Sequence, residues 1–219
     1  MKRNIYLVIL GFIFITILHS CKEEALPPSS FEYITPVFGT IIYSESATTP
    51  PTINWGGETG TFALVGLPLG IGIDAKTGSV NWVKSLPLGV NKVDVLAKNS
   101  AGETTASVTI NNILSGNFLG GYNTDPATTT LTETGFSMKF SSDGSFTSRD
   151  INNFLSSDGM WTLGAGNTVT GTFTFPGTQA LYSFEGIVTY TSTQTPYIAG
   201  YMKPAADASW TNYFKIDLQ

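Results

Sequence analysis

Gly135-Phe136-Ser137-Met138-Lys139-Phe140-Ser141-Ser142-Asp143-Gly144-Ser145-Phe146 is the stretch on which the fold of this 219-residue chain turns. Phe136, Met138 and Phe140 fall on one face of an extended strand, with Ser137 and Lys139 on the other, because successive side chains alternate sides. Asp143-Gly144 then stands where a tight hairpin needs a residue free to adopt positive φ. The same parity recurs downstream. Val169, Phe173 and Phe175 alternate with Thr170, Thr172 and Thr174, and Phe214, Ile216 and Leu218 alternate with Tyr213, Lys215 and Asp217. Strands with one apolar and one polar face suit an antiparallel sheet that encloses its own core. The pattern predicts eight strands, at 117–122, 135–141, 144–149, 159–164, 167–175, 181–191, 197–203 and 212–218. Gly164-Ala165-Gly166-Asn167 supplies a second hairpin signal.

Upstream the pattern stays all-β but changes character. Little in residues 31–219 carries a helical period; short alternating or β-branched runs are broken by Gly, Pro, Asn and Asp. In Ile73-Asp74-Ala75-Lys76-Thr77-Gly78-Ser79-Val80, Asp74 is placed to accept local backbone N–H bonds and Gly78 to take positive φ. Val93, Val95 and Ala97 alternate with Asp94, Leu96 and Lys98, and Ala106, Val108 and Ile110 are expected to point inward after the turn at Asn99–Glu103. The change of pattern near Asn111 to Gly116 predicts two domains that fold independently.

Charge and composition exclude several functions. The chain has 11 basic and 16 acidic residues, one His and one Cys, and charged residues make up 12%, about half the usual ~25%. No basic stripe is present to meet nucleic-acid phosphates. The single His is His19 and the single Cys is Cys21, both close to the N-terminus. If residues 1–20 are removed, two basic residues and the His go with them. The formal charge then moves from −5 to −7. Without His19 and a free Cys21 thiol the chain has no Ser-His-Asp or Cys-His device, no zinc ligands of the usual kind, and no disulfide.

Three resemblances add to this reading. Lys2 and Arg3, then the apolar run Ile5 to Leu18, then Leu18-His19-Ser20-Cys21 is similar to a bacterial lipoprotein signal ending in a lipobox. The apolar run is too short for a spanning helix of about 20 residues. The resemblance implies cleavage after residue 20 and lipid on Cys21, with the membrane as partner through that anchor. His19 departs from the lipobox pattern. Lys22-Glu23-Glu24 resembles the charged signal that follows the lipidated cysteine in Bacteroidetes-type surface lipoproteins, which implies an outer-membrane, cell-surface location. Residues 21–34, with Pro27-Pro28, then read as a stiffened tether.

"GLPLGIGIDAKTGSVNW", "LPLGVNKVDVLAKNSAGE" and "ASVTI" resemble immunoglobulin-like, cadherin-like domains of bacterial surface proteins, implying an Ig-like β-sandwich over 35–112. Cadherin modules bind calcium through acidic clusters, but Asp74 stands nearly alone here, so no metal or other cofactor is expected. Residues 116–219, beginning Gly116-Asn117-Phe118-Leu119-Gly120-Gly121-Tyr122, resemble lipocalin-like small barrels of bacterial lipoproteins. Parity leaves open whether that sheet closes or stays an open antiparallel β-meander.

The candidate ligand-binding residues are aromatic: Trp161, Tyr190, Tyr201 and Trp210. Rings on a β-surface stack on sugars or line an apolar lumen. They also fill cores, and Trp210 is set apart by its polar, loop-like surroundings at 205–212. No catalytic residue is expected. Asp143 and Asp158 precede glycine and suit turns, while Glu185 lies mid-strand with no second acid tied to it by spacing. The leading expectation is a non-catalytic binding or adhesion module for an extracellular glycan or peptide, displayed on an Ig-like spacer. A lipocalin-like carrier of a small apolar ligand is the alternative, and a glycan-processing enzyme using Glu185 the remote one.

Overall fold

The computed structural model describes residues 24–152, 154–178 and 180–219. Cys21 and the expected signal segment lie outside them. Among the described residues every regular element but one is a strand, the exception being a single 3₁₀ turn at Ala165–Asn167.

The N-terminal part is a β-sandwich. Its strands are β1 (Ser29–Glu32), β2 (Val37–Ile41), β3 (Ser46–Ala47), β4 (Thr52–Asn54), β5 (Thr61–Leu64), β6 (Ile71–Ile73), β7 (Val80–Trp82), β8 (Gly89–Lys98) and β9 (Glu103–Ile113). One sheet has the order β2-β9-β8-β5 and a second the order β3-β7-β6, with β1 paired to β4. Among the described residues only β2 and β9 pair in parallel. The alternation of β8 delivers Val93, Val95 and Ala97 to a core shared with Phe62, Val80, Trp82, Val108 and Ile110. At the β6–β7 hairpin the Asp74 carboxylate accepts the N–H of Lys76 at 2.8 Å and of Thr77 at 3.1 Å, and Gly78 sits at φ 74°.

The chain enters this sandwich earlier than the tether expected over 21–34. The Leu26 N–H donates to the Gly56 carbonyl at 3.0 Å, and Asn99 Nδ2 donates to the Leu26 carbonyl at 2.7 Å. Strand β1 then carries Phe31 to within 5.6 Å of the Phe62 ring and buries Tyr33, whose hydroxyl donates to the Gly78 carbonyl at 2.7 Å. The physical reason is the apolar pair Phe31 and Tyr33, which gains more by burial than the preceding prolines gain from extension in solvent.

The C-terminal part closes. Strands β10 (Gly116–Asn123), β11 (Glu133–Phe140), β12 (Ser145–Asp150), β13 (Leu155–Leu163), β14 (Thr168–Thr174), β15 (Leu181–Thr189), β16 (Tyr197–Pro204) and β17 (Asn212–Leu218) form an antiparallel barrel in chain order, sealed by pairing of β17 with β10. The eight expected strands are these eight, and the open alternative is removed.

Side chains of the described residues fill the barrel interior. Phe118, Phe136, Phe140, Phe146, Phe173, Phe184 and Phe214 are all fully buried within it, with Met138, Val169, Val188, Ile198, Met202 and Ile216. Eight strands leave an interior just wide enough for side chains. Glycines opposite the rings make the fit. Gly159 lies across from Phe173, and a Cβ on it would come within 2.5 Å of the Phe146 ring. Gly171 lies across from Phe184, and its Cβ would meet that ring at 2.5 Å. Inward-facing polar groups bond to each other: the Ser148 and Ser157 hydroxyls are 3.0 Å apart, and Ser157 donates to the Thr174 carbonyl.

The lower end of the barrel is plugged by the sandwich. Ile42, just after β2, and Leu114, between β9 and β10, belong to the same buried cluster as the barrel phenylalanines, flanked by Tyr43 and Leu88. The Leu86 carbonyl accepts hydrogen bonds from Tyr190 Oη at 2.8 Å and from Asn112 Nδ2 at 2.7 Å. The segment expected to separate two independent domains is therefore packed into the second core.

Candidate functional site

With the interior filled, the outer wall is what the barrel offers to a ligand. Parity on β13, β14 and β15 sends Met160 and Thr162, Thr170 and Thr172, and Ser183 and Glu185 outward. The register sets them in two rows across the strands. Thr162 faces Thr170, then Glu185, then Tyr201, then Tyr213; Met160 faces Thr172, then Ser183, then Lys203. The first row is tied by the Thr162 and Thr170 hydroxyls at 3.0 Å.

The loop after β16 folds back toward these rows. Lys203 Nζ donates to the Asp207 carbonyl at 2.6 Å and the Ala208 carbonyl at 3.2 Å, and the Thr211 N–H returns to the Met202 carbonyl at 3.2 Å. This hairpin holds the Trp210 indole at the edge of the sheet, 37% exposed, with Lys203 Nζ 5.3 Å from the ring centroid. Trp210, Met160, Thr170, Thr172, Ser183 and Glu185 line an open recess of about 500 Å³. A second recess of about 520 Å³, over Ser145, Thr147 and Asp158, shares Met160 with it. Together they make a groove across β12 to β15.

Gly159 and Gly171 face inward, across from Phe173 and Phe184, and their backbone forms part of the recess linings between the outward side chains. The groove walls are hydroxyls, a thioether, one indole and two separated carboxylates. In the first recess Glu185 is the only carboxylate. In the second, Asp158 accepts the Thr147 hydroxyl at 3.1 Å. These groups can hydrogen-bond and stack.

The sequence-predicted residues divide. Tyr201 and Trp210 share the outer face, Tyr201 directly across from Glu185 and edge-on to Tyr213 at 5.7 Å. Trp161 points inward and is buried, its indole N–H donating to the carbonyls of Ser141 at 3.2 Å and Ser145 at 3.0 Å. It holds the β11–β12 hairpin and reaches the recess only as floor. Tyr190 is half-buried at the junction with the sandwich, where desolvation holds its hydroxyl above the usual phenol range. Met160 and Ser183 were not singled out from sequence; the outward parity of Thr170 and Thr172 was the available signal.

A small cleft at the upper end of the barrel brings two acids together. Glu133 and Asp150 line a space of about 100 Å³ with Tyr122, Phe136, Asn152 and Phe175. Tyr122 is raised above its ordinary pKa by burial first and then by the charges of Glu133 and Asp150. This volume is well below the ~300 Å³ at which ligand pockets begin. Among the described residues no group of three or more His, Cys, Asp or Glu is arranged to hold a metal, and no helix is long and apolar enough to cross a membrane.

No family model matches the chain, and no curated protein matches it. Among solved structures, EC1-2 of human protocadherin-24 is similar over 89% of this chain and 95% of its own, at 9% identity and a TM-score of 0.39. A SusE-like, surface-located polysaccharide-binding protein from the heparin utilisation locus of Bacteroides thetaiotaomicron matches 80% of this chain at 14% identity and a TM-score of 0.36. This chain spans 36% of that protein's length. Extracellular domains 3–5 of Drosophila OTK match 72% of this chain and 60% of their own, at 14% identity and a TM-score of 0.32.

Proposed function

We propose that this protein is a non-catalytic binding module, lipid-anchored through Cys21 at the outer-membrane surface, whose barrel takes a neutral glycan chain in the groove over β12 to β15. The observation that carries this reading is Trp210. Its indole is held half-exposed at the end of a hydroxyl-rich groove, on a barrel whose interior is already filled. A sugar presents C–H faces that stack on an aromatic ring and hydroxyls that pair with Thr, Ser and carboxylate oxygens. Glu185 and Asp158 favour a hydroxyl-donating, uncharged ligand over an anionic one at this place. The packed core disfavours the apolar-carrier reading. The first recess has a single carboxylate, and the acid pair at the upper cleft has no room for a sugar ring, so nothing favours glycosidase chemistry.

The test is a glycan array with the full-length protein, followed by quenching of Trp fluorescence. Trp210→Ala should weaken binding at least about tenfold, or ~1.4 kcal/mol, at unchanged melting temperature. Equal binding by Trp210→Ala would move the site elsewhere, and turnover of the glycan abolished by Glu185→Gln would overturn the non-catalytic reading. The anchor is tested separately: Cys21→Ala should move the protein into the soluble fraction, and its retention in membranes washed with alkaline carbonate would refute lipid attachment.

A further inference from the structure

The barrel wall on the side away from Trp210 carries a different chemistry. Asn117, Ser137, Lys139, Thr147, Arg149 and Ile151 line a recess of about 260 Å³ on the outer face of β10, β11 and β12. The register sets Arg149 directly across from Ser137 and Lys139 directly across from Thr147. The two cations are therefore diagonal neighbours on one strand pair, about 7–8 Å apart at the backbone. A chain with 11 basic and 16 acidic residues has few cations to place. Of the six other cations among the described residues, four have a partner: Lys98 pairs with Glu103, and Lys84, Lys203 and Lys215 lie over Tyr43, Trp210 and Tyr197. Lys139 and Arg149 have neither an acid nor a ring against them among the described residues.

Ser137 provides a second observation. It stands on the polar face of β11 and is only 6% exposed as a residue, and among the described residues its hydroxyl has no protein partner. It lines the recess between the two cations, directly across from Arg149 and two residues before Lys139. The nearest acids are turned to other work or stand off. Asp158, across from Thr147, accepts the Thr147 hydroxyl at 3.1 Å, and Asp217 lies across β10 from Ser137, opposite Leu119.

We infer that this recess binds an oxyanion group (sulfate, phosphate or carboxylate) through the Arg149 guanidinium, the Lys139 ammonium and the Ser137 hydroxyl. The planar guanidinium fork presents parallel N–H donors to two oxygens of one group, and the ammonium neutralises the remaining charge. This site adjoins the groove at Thr147 on β12, but its charged groups, Lys139 and Arg149, do not line the groove, whose charged groups are Glu185 and Asp158. Its ligand carries negative charge, whereas the groove's does not.

The test uses full-length protein titrated at constant ionic strength with inorganic sulfate, with galacturonate and with trigalacturonate, read by isothermal calorimetry. Saturable sulfate binding in the millimolar range, weakened about tenfold by Arg149→Gln or Lys139→Gln and unchanged in Trp210→Ala, is the expected result. Both cations are exposed, so these variants should keep the wild-type melting temperature. Trigalacturonate binding more tightly than the monosaccharide would assign the site to an acidic group on a polymer; equal binding would assign it to the free ion. The absence of any saturable heat up to about 50 mM with all three probes, or equal binding by both neutral variants, would overturn the inference. Trp210→Ala leaving sulfate binding intact while weakening neutral-glycan binding separates this site from the groove.

Discussion

Leu114 is the residue at which a linker becomes a plug, and truncating it measures how far the two halves depend on each other. It lies between β9 and β10, is 1% exposed, and packs in the barrel cluster with Ile42. Leu114→Ala removes three heavy carbons from a fully buried position in that cluster, leaving a cavity. A loss of about 3 kcal/mol follows, from the usual 2–5 for buried Leu→Ala. At about 2–4 °C per kcal/mol for a chain of this size, the melting temperature should fall by about 6–12 °C. Hydrogen exchange followed by mass spectrometry separates the modules. Amides in β8 and β9 and amides in β14 and β15 should both exchange roughly 150-fold faster, because 3 kcal/mol is about 2.2 decades. Tyr190→Phe, which deletes the bond to the Leu86 carbonyl, should act in the same direction by about 1 kcal/mol. If Leu114→Ala accelerated exchange in the barrel alone, or in neither module, the plug would be a contact without coupling and the argument would fail.

Three further outcomes are expected. Gly171→Ala should lower the melting temperature by several degrees, since its Cβ would lie 2.3 Å from the Met160 carbonyl oxygen and 2.5 Å from the Phe184 ring, an overpacking of about 1–3 kcal/mol; thermal unfolding at wild-type temperature would count against the interlocked core. Burial pushes the Tyr33 phenol from 10.0 to about 12, so the folded state keeps it neutral where the unfolded state ionises. That stability is complete below pH 10 and is lost as pH rises toward 12. Tyr33→Phe should flatten this part of a urea-denaturation profile. The Asp143 carboxyl is held below the usual carboxylate range by the Ser145 hydroxyl and then the Ser145 N–H. Its contribution is present above the ordinary carboxylate pKa and lost as pH falls through the depressed one. Carboxyl carbon shifts in an NMR titration should place its midpoint below that of Asp143 in the unfolded chain.

Strand parity was legible because a β-strand repeats every two residues, and no tertiary context is needed to see it. Phe136, Met138 and Phe140, Val169 and Phe173, and Phe214 and Ile216 all point inward as their alternation requires. The hairpin at Asp74 and Gly78 was legible for the same local reason. What was not legible depends on register. Gly171 opposite Phe184 and Gly159 opposite Phe173 are pairings across strands, and nothing at either position alone announces a complement. Closure has the same origin, since Phe118 must meet Leu218 across most of the barrel sequence. Trp210 was marked by its polar neighbours and is half-exposed, whereas Tyr190 gave no local sign that its partner would be a carbonyl in the other module. Ser137 misled by parity: it faces outward and is nonetheless buried.

The glycine and phenylalanine complement also bears on where a ligand can be met. Gly159 and Gly171 make room in the core for the Phe146 and Phe184 rings, and seven buried phenylalanines fill the interior. Both glycines face inward, across from Phe173 and Phe184, so the outer face around them is set by Met160, Thr170 and Thr172. A larger residue at either glycine would displace a ring from the core. The adjoining wall over β10 to β12 collects Lys139 and Arg149 instead. A barrel that cannot carry cargo within it therefore presents two faces of different chemistry to its surroundings, one suited to hydroxyls and ring faces and the other to negative charge.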